Sequence, residues 1–179
     1  IKYICSLHGP VLTGDLSKYI EKYDKWSKYE PEQPDGILVA YSSIHGNTKK
    51  AIQKFLEILK ENGLKEVESI DLTRDDLSKA ISLSYKYGKL VIASSSYNAS
   101  VFPPMENFLR LLKDKNYQNR KIGIIENGTW APSAAKTMKS IIEGMKDITI
   151  IEPEITIKTK LSDENIEQFK ELAENIINS

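Results

Sequence analysis

From about residue 36 onward, short apolar runs alternate with stretches whose apolar residues recur at helical spacing. Ile37-Leu38-Val39-Ala40-Tyr41 has the length and content of a buried strand, and Ala51, Ile52, Phe55, Leu56 and Leu59 fall on one face of a helix that Gly63 closes. Val67 to Leu72 reads as a second strand, and Leu77, Ile81 and Leu83 mark a helix from Asp75 to Tyr87 that Gly88 ends. Leu90-Val91-Ile92-Ala93 is a third strand, followed after Pro103-Pro104 by a helix carrying Met105, Phe108, Leu109 and Leu112. Ile122 to Ile125 and then Pro132 to Lys146, with Met138, Ile141, Ile142 and Met145, repeat the unit. Ile148 to Lys160 forms the fifth strand, in which Pro153 marks a bulge or an edge position, and Asp163 opens a last helix through Ile166, Phe169, Leu172, Ala173 and Ile176. Repeated β–α units of this kind predict an α/β fold, a five-stranded parallel sheet with helices on both faces. Ligands of such sheets bind outside the carboxyl ends of the strands.

Residues 1–35 read differently. Ile1 to Leu7 suits a short strand, His8-Gly9-Pro10 a turn, and Leu16, Tyr19, Ile20, Tyr23 and Trp26 a helix. Glu30-Pro31-Glu32-Gln33-Pro34-Asp35 then reads as a linker. A strand and a helix bury too little apolar surface to fold alone, so this piece docks on something else or stays mobile.

The candidate chemistry lies in loops. Between the first strand and its helix runs Ser42-Ser43-Ile44-His45-Gly46-Asn47-Thr48. It has neither G-x-x-x-x-G-K-[ST] nor G-x-G-x-x-G, so it is neither a nucleoside-triphosphate loop nor a dinucleotide fingerprint. Its hydroxyls, its amide and the free N–H groups of a helix start suit a monophosphate held by neutral donors. The same residue types also serve as plain helix caps, which is the competing reading. Lys49 and Lys50 are expected to be solvated. The third strand ends in Ser94-Ser95-Ser96-Tyr97-Asn98-Ala99-Ser100 and the fourth in Glu126-Asn127-Gly128-Thr129-Trp130-Ala131, whereas the second ends plainly in Thr73-Arg74-Asp75. That asymmetry points to one site. Tyr97 and Trp130 suit stacking on a flat ring or a place on a rim, Glu126 is expected in solvent, and Phe102 and Met105 in the core.

The motif Tyr41-Ser42-Ser43-Ile44-His45-Gly46-Asn47-Thr48 resembles the phosphate loop of the flavodoxin superfamily, and more closely that of the flavodoxin-like domain of flavodiiron proteins. The loop from Ser94 to Pro103 is similar to the segment that wraps the isoalloxazine ring in that family. Ala99 departs from it at a usual Asn and Ser100 at a usual Gly, and Ser100 is expected to restrict redox-linked backbone movement. The segment Glu126 to Ser133 matches at Gly128 and Trp130. Ile4 to Leu12 resembles the end of the metallo-β-lactamase-like domain that precedes the flavodoxin domain, with His8 at the position of the last di-iron ligand.

The resemblance implies a strand order of 2-1-3-4-5, with FMN held by Ser42, Ser43, Ile44, His45, Gly46, Asn47, Thr48, Ser95, Ser96, Tyr97, Asn98, Ala99, Ser100, Asn127, Gly128, Thr129, Trp130 and Ala131. It implies residues 1–35 as a domain remnant plus linker and 36–179 as the FMN-binding domain. The intact protein is then an oxidoreductase and a homodimer. FMN takes electrons from a rubredoxin-type or NADH-linked donor and passes them to a di-iron centre that reduces O2 or NO. His45 is the only histidine besides His8, so no di-iron site assembles from this chain.

Bulk properties narrow the alternatives. The 179 residues are 40% hydrophobic and 28% charged, ordinary for one globular core. With 25 basic against 25 acidic residues there is no electrostatic footprint for nucleic acid. No apolar run is long enough for a membrane span, the start is not a signal peptide, and the lone Cys5 fits a reducing, cytoplasmic setting. A start at Ile1 suggests a piece of a longer chain. A free-standing flavodoxin carrier or quinone reductase is the alternative. A phospho-receiver is disfavoured because neither strand end carries the clustered aspartates it needs.

Overall fold

The computed structural model describes residues 1–179. A hairpin of β1 (Ile4–Cys5) and β2 (Val11–Leu12) and helix α1 (Ser17–Ser27) precede the main body. The body runs β3 (Gln33–Ser42), α2 (Asn47–Glu61), β4 (Val67–Asp71), α3 (Leu77–Lys86), β5 (Tyr87–Tyr97) and β6 (Ser100–Val101). It continues with α4 (Pro103–Asp114), β7 (Arg120–Asn127), α5 (Ala134–Ile142), β8 (Ile148–Ile157) and α6 (Asp163–Asn178). Five strands lie parallel in the order β4-β3-β5-β7-β8, which is the expected 2-1-3-4-5, and the two-residue β6 adds an antiparallel pairing on β5.

The strands read as continuous apolar runs because both faces of the sheet are covered. Alternate residues of β3 supply two cores. Leu38 and Ala40 pack with Leu90, Ile92, Ile122 and the inner faces of α3, α4 and α5, while Ile37, Val39 and Tyr41 pack with α2 and α6. On the second side Phe55 and Phe169 meet edge to face, with ring centroids 5.2 Å apart. Helix α6 begins with a capping box in which Ser162 and Asn165 bond each other's backbone N–H groups. Pro153 sits where the β7–β8 register shifts between Gly123 and Ile125, on the edge strand β8.

Three local expectations change. Gly88 does not end a helix, since α3 stops at Lys86 and Gly88 lies inside β5. A Cβ there would come within 2.1 Å of the Pro34 carbonyl oxygen, so glycine is required by the close approach of two backbones. The predicted linker is partly strand, because β3 starts at Gln33, which pairs with Tyr87. Helix α5 is shorter than Pro132 to Lys146 at both ends.

Residues just before β3 are hydrogen-bonded to the sheet through Arg120. Arg120, nearly fully buried at the start of β7, donates to the carbonyls of Tyr85, Tyr87, Gln118, Asn119 and Tyr29. The guanidinium has no carboxylate partner; it is satisfied by backbone oxygens, which connect the segment after α1 to the sheet. Helix α1 buries none of its own residues, and Tyr19, Ile20, Tyr23 and Trp26 are exposed.

Candidate functional site

The carboxyl ends of β3, β5, β7 and β8 open on one cavity of about 240 Å³. It lies across β3 and β5, where the strand order reverses, the position at which open α/β sheets bind ligands. Ten of its 11 lining residues were singled out from the sequence, and the eleventh is Thr159. One is hydrophobic, Ile44, and one is ionisable, His45.

The first wall is the loop from β3 to α2. Gly46 is the N-cap of α2 at φ 86, a left-handed conformation that glycine adopts without strain, and no side chain caps the helix from that position. The Ser43 Oγ accepts from the backbone N–H groups of Gly46 at 3.1 Å and Lys49 at 3.3 Å. The N–H groups of Asn47 and Thr48, the first two helical residues, have no acceptor in the chain. They face the cavity end of the helix with the positive pole of its dipole. One hydroxyl of this loop, that of Ser43, thus serves as a cap, while two amides stay free. Ser42 lies behind the cavity, fully buried, with its hydroxyl 2.8 Å from that of Ser94. Thr48 Oγ1 is 3.0 Å from Ser95 Oγ, linking the first turn of α2 to the end of β5. Lys49 extends away to Asp71 at 3.6 Å. Asp71 sits beside Tyr41, whose phenol is pushed up to about 12, first by burial and then by that negative charge.

The second wall comes from β5. Ser95 and Ser96 line the cavity, and the Ser96 hydroxyl accepts from the N–H groups of Ser133 and Ala134 at 3.0 and 3.2 Å, which makes it the cap of α5. Tyr97 and Ser100 pair across a two-residue turn whose central residues, Asn98 and Ala99, have φ 47 and 55. This is the primed hairpin geometry that favours Asn at the first position and Gly at the second. Backbone strain therefore sits at Ala99 and not at Ser100, which lies in β6 and spends its hydroxyl on Thr137. Tyr97 is 44% exposed and tilts against Phe102, ring centroids 5.8 Å apart.

The third wall comes from β7 and β8. Asn127 spends its side-chain amide on Thr159, donating to its carbonyl at 3.2 Å and accepting from its N–H at 3.1 Å, and the Thr129 and Thr159 hydroxyls touch. Sequence reasoning missed Thr159 because it attended to three strand ends; its signal was a polar residue at the end of the fifth. Gly128 lines the cavity so close to Ser96 that a Cβ would stand 2.8 Å from Ser96 Oγ. Trp130, next to the lining residue Thr129, is 92% exposed and does not itself line the cavity, and Ala131 follows at φ 42. Glu126, expected in solvent, is only 6% exposed; it accepts from Ala135 N–H at 2.9 Å and from the Thr156 hydroxyl. A carboxylate suits that place because it lies against the positive end of α5.

The cavity thus offers two free amides at a helix start, several hydroxyls and no acidic side chain, and the exposed Tyr97 and Trp130 directly follow the lining residues Ser96 and Thr129 without lining it themselves. That donor set fits a phosphate monoester joined to a flat aromatic body.

No protein-family model matches the chain. A putative diflavin flavoprotein A 2 from Synechocystis sp. is 23% identical over 124 residues, which is 68% of this chain and 21% of that protein. Among solved structures, the flavodiiron protein of Giardia intestinalis superposes with a TM-score of 0.84 at 23% identity, covering 98% of this chain and 44% of that one. The rubredoxin oxygen:oxidoreductase of Desulfovibrio gigas gives a TM-score of 0.82 at 21% identity, covering 98% and 43%. An archaeal flavodoxin gives 0.67 at 21% identity, covering 80% of this chain and 96% of that one. The fold is flavodoxin-like, and the chain is similar to the flavodoxin-like part of flavodiiron proteins. It spans less than half the length of the flavodiiron structures and about a fifth of the curated relative.

Proposed function

We propose that this chain is an FMN-binding electron-transfer domain of a flavodiiron-type oxidoreductase. The observation that carries the reading is the cavity at the strand-order switch, where the unpartnered amides of Asn47 and Thr48 meet the hydroxyls of Ser43, Thr48 and Ser95. When bound, FMN supplies one- and two-electron redox chemistry. The amides and hydroxyls would hold its phosphate. The turn from Tyr97 through Ser100 and the loop from Gly128 to Ala131 would border its ring, and the exposed faces of Tyr97 and Trp130 would shield it from water. Ser42 acts from behind, joining β3 to β5 through Ser94. Asn127 acts through Thr159, fixing the third wall.

In the same reading, residues 1–35 are the end of a preceding metallo-β-lactamase-like domain, with His8 as one ligand of its di-iron centre, and 36–179 are the flavin domain. The superpositions favour this over a free-standing carrier, because flavodiiron structures take in 98% of the chain and the flavodoxin 80%. The intact protein would be a cytoplasmic homodimer that takes electrons from a rubredoxin-type or NADH-linked donor and reduces O2 or NO at the di-iron centre. This chain alone would cycle the flavin without the terminal reduction. Titration with FMN, followed by flavin absorbance and by quenching of flavin fluorescence, tests the reading. Saturable binding that weakens strongly for riboflavin is expected, and a protein that leaves the spectrum of added FMN unchanged would overturn it.

A further inference from the structure

His45 is the only ionisable side chain among the 11 that line the cavity. It stands in the loop that leads to the free amides of Asn47 and Thr48. The neighbouring charges are accounted for elsewhere. Lys49 is engaged with Asp71, Lys50 points from the exposed side of α2, and Lys158 and Lys160 flank Thr159 in solvent. On the far side, Glu126 is turned to α5 and Thr156. None of these lines the cavity. A phosphate monoester there would meet partial charges and hydroxyls only, except where the imidazole adds a full positive charge. Histidine is the side chain whose charge changes near neutral pH.

We propose that His45 is a pH-dependent ligand for the phosphate of the bound mononucleotide, strengthening its grip when protonated. This rests on the FMN reading above. The sign follows from linkage: an imidazolium beside a phosphate binds its proton more tightly, so affinity rises as pH falls through the histidine's titration. The phosphate's own second ionisation acts in the opposite direction, so the informative quantity is the ratio of FMN dissociation constants for His45→Asn and the parent protein. That ratio cancels the ligand's titration.

Because the imidazole is solvent-exposed, a modest ratio of about three- to fivefold at low pH is expected, falling towards one at high pH. With riboflavin the ratio stays near one throughout. A ratio that does not vary with pH, or an equal variation with riboflavin, overturns the proposal. A second measurement needs no flavin. The chain has only two histidines, so in a His8→Asn protein the imidazole proton resonance of His45 is assigned directly. Its titration midpoint should move up when inorganic phosphate is added at constant ionic strength; an unmoved midpoint overturns the role of His45. Failure of the parent protein to bind FMN at any pH refutes the broader reading instead, and the phosphate titration then still decides on His45.

Discussion

Replacing Gly128 by alanine tests whether the cavity wall and the start of α5 depend on a single hydroxyl. The new Cβ would lie 2.8 Å from Ser96 Oγ, 3.1 Å from Ser96 Cβ and 3.3 Å from Pro132 Cα. The Ser96 side chain is the part that can give way, and in doing so it leaves the N–H groups of Ser133 and Ala134 without their acceptor. Two hydrogen bonds at roughly 0.5–1.5 kcal/mol each amount to about 1–3 kcal/mol. Alanine restricts the unfolded chain more than glycine does, which returns about 0.4–1 kcal/mol. The net expectation is a loss of about 1–2 kcal/mol, or a fall in Tm of roughly 2–8 °C for a domain of this size. Flavin affinity should fall with it, because Gly128 lines the cavity. Thermal unfolding of Gly128→Ala, Ser96→Ala and the double variant measures the coupling. Ser96→Ala already removes the acceptor, so the double variant should be less destabilised than the sum by about 1 kcal/mol. Additivity to within about 0.5 kcal/mol would refute the argument that the Ser96 hydroxyl is what demands glycine at 128.

Ala99→Gly relieves a left-handed alanine at the second position of a primed turn and should stabilise the protein by about 0.5–1 kcal/mol, read as a higher denaturant midpoint with an unchanged m-value. Stability should decline as pH rises above about 10, where unfolded tyrosines begin to ionise. Tyr41 holds its proton in the native state to about 12, and burial also raises Tyr85, Tyr87 and Tyr117. Between those limits the native state binds more protons than the unfolded one, so the slope of stability against pH is negative; urea midpoints of Tyr41→Phe should fall less steeply there than those of the parent. Arg120→Leu leaves the carbonyls of Tyr29, Tyr85 and Tyr87 without the buried guanidinium, with a cost of roughly 1–3 kcal/mol for each carbonyl that stays buried and unpaired. Limited trypsin digestion should then cut faster at Lys28, and cleavage at the parental rate would show that Arg120 does not hold that segment.

The sheet, its strand order and the helices on both faces were legible because each depends on signals within one short window or on a resemblance carried by contiguous motifs. The apolar run Ile37–Tyr41 is buried as expected, as are Phe55 and Leu59 on the inner face of α2. Whether a given polar atom faces the cavity was not legible, since its partner is remote in sequence. Ser42 turns to Ser94, Ser96 to Ser133 and Asn127 to Thr159. Glu126 looked like a solvent carboxylate until the fold brought the N-terminus of α5 against it.

Glycines divide in the same way. Gly46 and Gly63 take positive φ, as their positions at helix ends imply, whereas Gly88 and Gly128 are fixed by contacts with Pro34 and Ser96. The sequence by itself determined which elements form, in what order, and which loops are rich in donors, because periodicity and turn chemistry are local properties of the chain. Only the tertiary structure decided which donors remain free at the cavity and that Thr159 joins them, because those choices are made by hydrogen bonds between strand ends that the chain brings together only when the sheet closes.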